Sequence, residues 1–466
     1  MEQTFYFYDL ETSGIDPRSQ RIMQFAGQRT TMDLVPIGDP DDYFIQLTSD
    51  VLPDPDAILL TGITPQKTLA EGYTEKQFID IFLADIAKPG TVFVGFNTIR
   101  FDDEFMRNTL YRNLYDPYEW QWKDGRCKWD LLDVARMTRA LRPDGINWPY
   151  TPSGKQINRL ELIAAINNLE HTDAHNALSD VSASIEVAKM MMSRQPKLFT
   201  YLLGMRNKQV VAAFVSSGLP FVYTSGRYPS EYQKTTVVMP IGDGNDPGTT
   251  VVYDLRIDPE LWLSQQGSLT KETYSPLKLL KHNHCPAIAP LSVLDMESIA
   301  RIKIDMKSLE DNKKKLAKLK DQVFATYISK KRKASQTLIA EPLASVDKMM
   351  YDGFIGAQDK RLNDRIHAMD QLELVEFVPE YVDKRLPELY FLYKARQFPK
   401  SLMSEDRQRY DAYVAEKLTM GEVNLYGEHI AKLEQLAKVE YLDADKRYIL
   451  EELALYAQSI VPLDGY

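Results

Sequence analysis

The stretch "VGFNTIRFDDEF", Val94–Phe105, places three acids in a row directly after an apolar run. Acidic triplets are ordinarily solvated surface. This one follows Val92–Phe96 and sits among Phe101, Phe105 and Met106, at the edge of a core. The run "TVFVGF" predicts a buried strand, and a helix is expected from about Phe101 to Leu114. On that helix Met106, Leu110 and Leu114 form an i+4 stripe, and one step backwards reaches Asp102. Asp102 is therefore read as the inward acid. Asp103 lines up with Arg107 as a surface pair and Glu104 with Asn108, so Asp103→Ala is expected to spare most of any activity. A helix N-cap is the competing reading of Asp102, its carboxylate satisfying free backbone N–H groups.

Working outward, "TFYFYDL" reads as a strand, "RIMQFAGQRT" as its hairpin partner and "YFIQL" as a third strand. "TEKQFIDIFLADIA" is amphipathic, with Phe78, Ile81, Phe82 and Ile86 on one side. Helices follow at "DLLDVARMTRAL", "RLELIAAINNL" and "NALSDVSASIEVAKMMM". Strands followed by mixed strands and helices imply an α/β sheet covered by helices. "SRQPKLF" looks like the exit from this domain. The middle is richer in short strands ("PFVYTSG", "KTTVVMPI", "TTVVYDL") and reads as a small β-barrel with some helices. Its basic runs "NKKKLAKLKDQV" and "SKKRKAS" are open to two readings, solvated helix faces or a nucleic-acid path. From "YDGFIG" onward helical spacing dominates. The expected division is 1–195, 196–346 and 350–466.

Composition sets the broad class. At 466 residues, two or three domains are expected. Apolar content of 44% and charged content of 26% are ordinary for a soluble globular chain. The net charge of −10 argues against an overall basic coat, yet a local basic groove would suffice for nucleic acid. Cys127 and Cys285 are far apart, in no metal-like spacing, and fit a reducing compartment. With no basic-then-apolar leader and no run of about 18 apolar residues, a cytoplasmic protein with no membrane partner is expected.

Two further acidic sites join Asp102. Asp9 and Glu11 lie two apart on a strand, which points both carboxylates to one face. Like charges so close raise each other's pKa unless a cation lies between them, and hard oxygen ligands suit Mg²⁺ or Mn²⁺. A strand end frayed into solvent is the plainer alternative. Asp180 shares a helical stripe with Ala177, Ser184, Val187 and Met191, small enough near the acid to leave room for an ion. His175 precedes that helix. Its unperturbed pKa suits a general base, while a capping or surface histidine is the alternative. Jointly, four inward carboxylates and one histidine in the order D-x-E, D, H-x4-D are the set needed for two divalent ions roughly 4 Å apart on a phosphodiester.

The set resembles that of the DEDDh 3′–5′ exonucleases, on a ribonuclease H-like fold. The tyrosine subtype would need a tyrosine at position 176, where this chain has Asn176. "GFNTIRFDDEFMRNTLYRNLYDPYEW", "RCKWDLLDVARMTRALRPDGINWP", "AHNALSDV", "RQPKLF", "YDGFIG" and "VDKRLPELYFLYKARQFP" resemble the bacterial exodeoxyribonuclease I family over essentially the whole chain. The resemblance implies an exonuclease domain, an SH3-like β-domain and a C-terminal helical domain enclosing a channel for single-stranded DNA. It implies processive 3′–5′ degradation to 5′-mononucleotides with two Mg²⁺ ions (Mn²⁺ as a substitute), in repair and recombination. Asp9, Glu11, Asp102 and Asp180 become metal ligands and His175 the base. Thr12, Gly95, Phe96 and Asn97 would line the 3′-end pocket, with Phe96 available for base stacking. The family also binds the acidic tail of single-stranded DNA-binding protein, and Arg142 and Tyr201 fall where that tail would dock. A monomer is expected. An RNA-trimming or proofreading relative and an inactive scaffold on the same fold are the rivals; the C-terminal half speaks against the first and the complete site set against the second.

Overall fold

The computed structural model describes residues 3–169, 176–265, 274–336, 345–420, 423–439 and 443–461. The first strand, β1 (Thr4–Thr12), is buried on both faces by alternation. Phe5 and Phe7 face one core, with Trp129, Val134, Ala177 and Val181. Tyr6, Tyr8 and Leu10 face the other, with Phe25, Phe78, Phe93, Phe105 and Met106.

The remaining strands are β2 (Ile22–Thr30), β3 (Asp41–Phe44), β4 (Thr91–Gly95) and β5 (Cys127–Asp130), in the order β3-β2-β1-β4-β5. β2 and β3 run antiparallel to their neighbours, whereas β1, β4 and β5 are parallel. The third strand covers Asp41–Phe44 rather than Tyr43–Leu47. The amphipathic segment packs through Phe78, Ile79, Phe82 and Ile86, because a π-turn over Phe82–Ile86 rotates the face and leaves Ile81 half-buried.

In the middle of the chain, β6 (Phe221–Thr224), β7 (Thr235–Asp243), β8 (Thr249–Asp254), β9 (Leu277–Lys281) and β10 (Ala287–Pro290) form an antiparallel sheet ordered β10-β6-β7-β8-β9. Both basic runs lie on one helix, Met306–Gln336, which buries Leu309, Leu316 and Val323. Beyond residue 356 the described chain is mostly helical. It packs on the first domain through Leu433, Leu450 and Leu453 against Met23, Ile58 and Ile63. A second contact joins Tyr111 and Leu114 to Met350, Leu389 and Tyr393. Among the described residues no helix is long and apolar enough to cross a membrane.

Candidate active site

Parallel strands carry their loops, and therefore their chemistry, at their carboxyl ends. Here those ends belong to β1, β4 and β5. On β1, Asp9 and Glu11 continue the face of Phe5 and Phe7, as the alternation requires. A register shift falls between Glu11 and Thr12, after which Thr12 pairs with Ile22 on β2.

Over this face lies the helix Ala177–Arg194, capped by the Asn176 side chain on the Leu178 N–H at 3.1 Å. Buried Ala177, Ala183, Ser184 and Ala188 let it approach closely. It brings Asp180 to the two strand acids: carboxylate oxygens of Asp9, Glu11 and Asp180 lie within 4.8 Å of one another. His175, just before the cap, lies outside the described residues.

Asp102 arrives from a different direction. The helix Asp102–Arg112 packs by Phe105, Met106 and Leu110 on the opposite face of the sheet. Asp102 is its first residue, 4% exposed, at the level of the strand ends. Phe101 occupies the cap position without a side-chain bond, so Asp102 is not the cap.

Burial and the charges of Asp102 and Asp180 hold Asp9 well above the usual carboxylate range. Burial, Asp9 and Asp180 push Glu11 up to about 9. Asp102 is likewise raised by burial and by Asp103, Asp130 and Glu11, against the pull of its own backbone N–H. Among the described residues, no lysine or arginine pairs with Asp9, Glu11 or Asp102. Carboxylate oxygens clustered in this way are a hard-metal donor set, and they fit Mg²⁺ or Mn²⁺.

The loop after β4 forms the adjoining wall. Gly95 permits the turn, since a Cβ there would lie 2.0 Å from Thr98 Cγ2 and 2.9 Å from the Tyr8 carbonyl. Asn97 is left-handed at φ 77°. Asp130, at the end of β5, accepts the N–H groups of Asn97 (3.0 Å), Ile99 (3.2 Å) and Leu132 (2.9 Å). Burial pushes its carboxyl up to about 6. Sequence reasoning missed this anchor; an aspartate at the N-cap of "DLLDVARMTRAL" was the available signal. Phe96 is half-buried, and Thr12 is buried with its hydroxyl donated to the Gly14 carbonyl at 2.8 Å.

Asn97 and Asp130 open onto a cleft of about 640 Å³ between the first and middle domains. Arg100, Arg227, Lys278, Lys281 and Lys331 line it, the last from the long basic helix. Burial and the neighbouring Arg227, Lys234 and Arg100 lower Lys278 to about 7. By contrast Lys315 on the same helix pairs with Asp258 and Glu260, so the basic runs divide between surface and cleft.

Arg142 and Tyr201 are not among the acidic cluster. Arg142 donates to the carbonyls of Leu141 and Val293 and pairs with Asp295 at 3.1 Å. Tyr201 is half-buried between the first and middle cores.

Asp103 departs from the surface reading. It is 1% exposed, and its carboxylate accepts the Tyr8 hydroxyl at 2.6 Å and Lys128 Nζ at 2.9 Å. Glu104 does line up with Asn108, whose Nδ2 donates to the Glu104 carbonyl at 2.8 Å, while the Glu104 carboxylate meets Arg107 and Tyr351.

Sequence comparison matches residues 6–188 to the family described as Exonuclease, 206–331 to the Exonuclease I SH3-like domain and 344–460 to the Exonuclease I C-terminal domain. The exodeoxyribonuclease I of Haemophilus influenzae is 34% identical over 473 residues, covering 97% of this chain and 98% of that one. A moderately thermophilic Exonuclease I from Methylocaldum szegediense superposes at TM-score 0.90, with 37% identity over 99% of this chain and 100% of that one. The E. coli Exonuclease I in complex with a dA16 oligonucleotide reaches 0.92, at 34% identity and the same coverage. Two further solved relatives are an SSB/Exonuclease I structure (0.89, 34%) and a zinc-bound E. coli complex with single-stranded DNA (0.88, 33%), each covering 99% of this chain and all of that one.

Proposed function

Since the chain belongs to the exodeoxyribonuclease I family and is a nuclease, we propose that it degrades single-stranded DNA processively from the 3′ end to 5′-mononucleotides. The observation that carries this reading is the gathering of Asp9, Glu11 and Asp180 carboxylates within 4.8 Å of one another, with buried Asp102 close enough to raise Asp9, near a cleft lined by Arg100, Arg227, Lys278, Lys281 and Lys331. The likeness to an Exonuclease I bound to dA16 supports the substrate class.

In this reading the four carboxylates hold two divalent ions, Mg²⁺ with Mn²⁺ as a substitute. Bound there, the ions supply an acidified water and charge stabilisation at the leaving oxygen. The chain's own contributions are distinct. His175 takes the proton of the attacking water. Gly95 lets the backbone approach the terminal nucleotide, Asn97 and Thr12 shape the pocket around it, and Phe96 offers a stacking face. Arg100, Arg227, Lys278, Lys281 and Lys331 neutralise phosphates along the cleft, which retains the strand between cuts and makes binding salt-dependent. Repair and recombination are the setting such an activity serves.

Arg142 and Tyr201 are proposed as the dock for the acidic tail of single-stranded DNA-binding protein, in keeping with the solved SSB/Exonuclease I structure. The tail's acids would compete with Asp295 for the Arg142 guanidinium. The protein is proposed to act as a monomer.

The test is an end-labelling assay. A 5′-labelled single strand should shorten from its 3′ end with Mg²⁺ and survive in EDTA. An intact single strand beside consumed duplex or RNA would overturn the assignment.

A further inference from the structure

Asp103 touches more of the site's framework than the acid beside it. Its Oδ1 accepts from Tyr8, the residue before Asp9 on β1. Its Oδ2 accepts from Lys128 on β5, two residues before the Asp130 that holds the Asn97 loop. β4 lies between those strands, so one carboxylate spans three parallel strands at their site-bearing ends. Arg107 Nη2 adds a third partner at 3.6 Å. The Lys128 carbonyl in turn accepts Cys285 Sγ at 3.0 Å, carrying the connection into the middle domain beside the cleft.

The helix that begins at Asp102 has no side-chain cap. Within its first turn Phe105 packs against the sheet, and Asp103 supplies the polar ties to the strands. Lys128 and Arg107 also neutralise the Asp103 charge, which keeps it from acting as a fifth metal ligand.

We propose that Asp103 is a positioning residue, a brace between β1 and β5 that sets where Asp102 stands relative to Asp9 and Glu11. This rests on the metal-site reading above. Partners that orient metal ligands typically change metal affinity or activity by about 10–100-fold when removed.

The experiment measures Mn²⁺ binding by calorimetry on the DNA-free protein, alongside kcat, KM and melting temperature, for wild type, Asp103→Asn and Tyr8→Phe. Asp103→Asn should weaken Mn²⁺ affinity and lower kcat by about 10–100-fold while KM for DNA stays within about twofold. Tyr8→Phe, which removes a single hydroxyl from the brace, should shift both in the same direction by less. A purely structural role would lower the melting temperature and leave Mn²⁺ affinity and kcat of the folded protein at wild-type values; that result overturns the proposal. Should Asp103→Asn fail to fold, unchanged Mn²⁺ affinity in Tyr8→Phe overturns it instead. If wild type itself binds no Mn²⁺, the metal-site reading falls and the brace with it, whereas normal wild-type binding with unaltered variants removes the brace alone.

Discussion

Asp9, Glu11 and Asp102 at the strand ends, and Asp50, Glu75 and Asp347 where the C-terminal helices meet the first domain, are two sets of acids withdrawn from water, with opposite electrostatics. In the first set burial and mutual repulsion raise every member. In the second, burial alone would raise them, but cations reverse the outcome. Arg396 sits 2.7 Å from Asp50 and 2.6 Å from Asp347, and Lys417 is 2.6 Å from Asp50. Arg112 is 3.0 Å from Glu75, and Arg21 lies within 4 Å of all three acids. Arg396, Lys417 and Arg21 hold Asp50 and Asp347 well below the usual range, and Arg112, Arg21 and the Asn113 amide hold Glu75 down. Burial therefore does not separate a reactive acid from a structural one. The missing cation does, because only an uncompensated cluster gains by taking up a metal.

The contrast breaks most easily at Asp9. Asp9→Asn should lower nuclease turnover on the order of a thousand-fold, about 4 kcal/mol of lost transition-state stabilisation. In EDTA the same variant should melt higher than wild type, by about 1–2 °C, since one repelling charge is gone. A lower melting temperature would mean the cluster is compensated after all.

Asp347→Asn should do the reverse. Removing one partner from a buried ion cluster destabilises by about 3–5 kcal/mol. Calorimetry should show that loss, while cleavage of a short single strand per folded molecule, measured well below the transition, stays at the wild-type level.

The smallest effect is in the acid limb of stability. Asp50, Glu75 and Asp347 have depressed folded-state pKa values. Their contribution is fully present above the unfolded values of about 4 and is lost as pH falls from there through the folded ones. Melting temperature should drop on acidification below about pH 4, and less steeply in Asp347→Asn. An unchanged slope would remove these acids from the ion cluster's stabilising role.

How far the site could be read beforehand depended on the range of the interaction involved. Asp9 and Glu11 share a face because strand alternation is local, and Asp180 points inward because its helix spacing is local. Asp102 was reached by an i+4 stripe, although its helix packs on the other face and the acid gets there by standing at the helix's first residue. The same i+4 logic misjudged Asp103. It pairs the acid with Arg107, a true neighbour, and is blind to Tyr8 and Lys128, which belong to strands 95 and 25 residues away. β5 escaped notice because four residues are too few to display a period, and with it went Asp130 as the anchor of the Asn97 loop. His175 lies outside the described residues and keeps its role as a proposal.

Periodicity and residue type, which act over a few neighbouring positions, were enough to specify the α/β first domain, the direction of three of the four acids and the class of ion they suit. Compensation was not legible that way. Whether a buried carboxylate meets Lys128, Arg396 or no cation depends on which distant segments the packing brings beside it, and Coulomb interactions in a low-dielectric interior follow separation in space rather than along the chain. The three neighbours Asp102, Asp103 and Glu104 thus share one stretch of sequence and hold three different electrostatic fates.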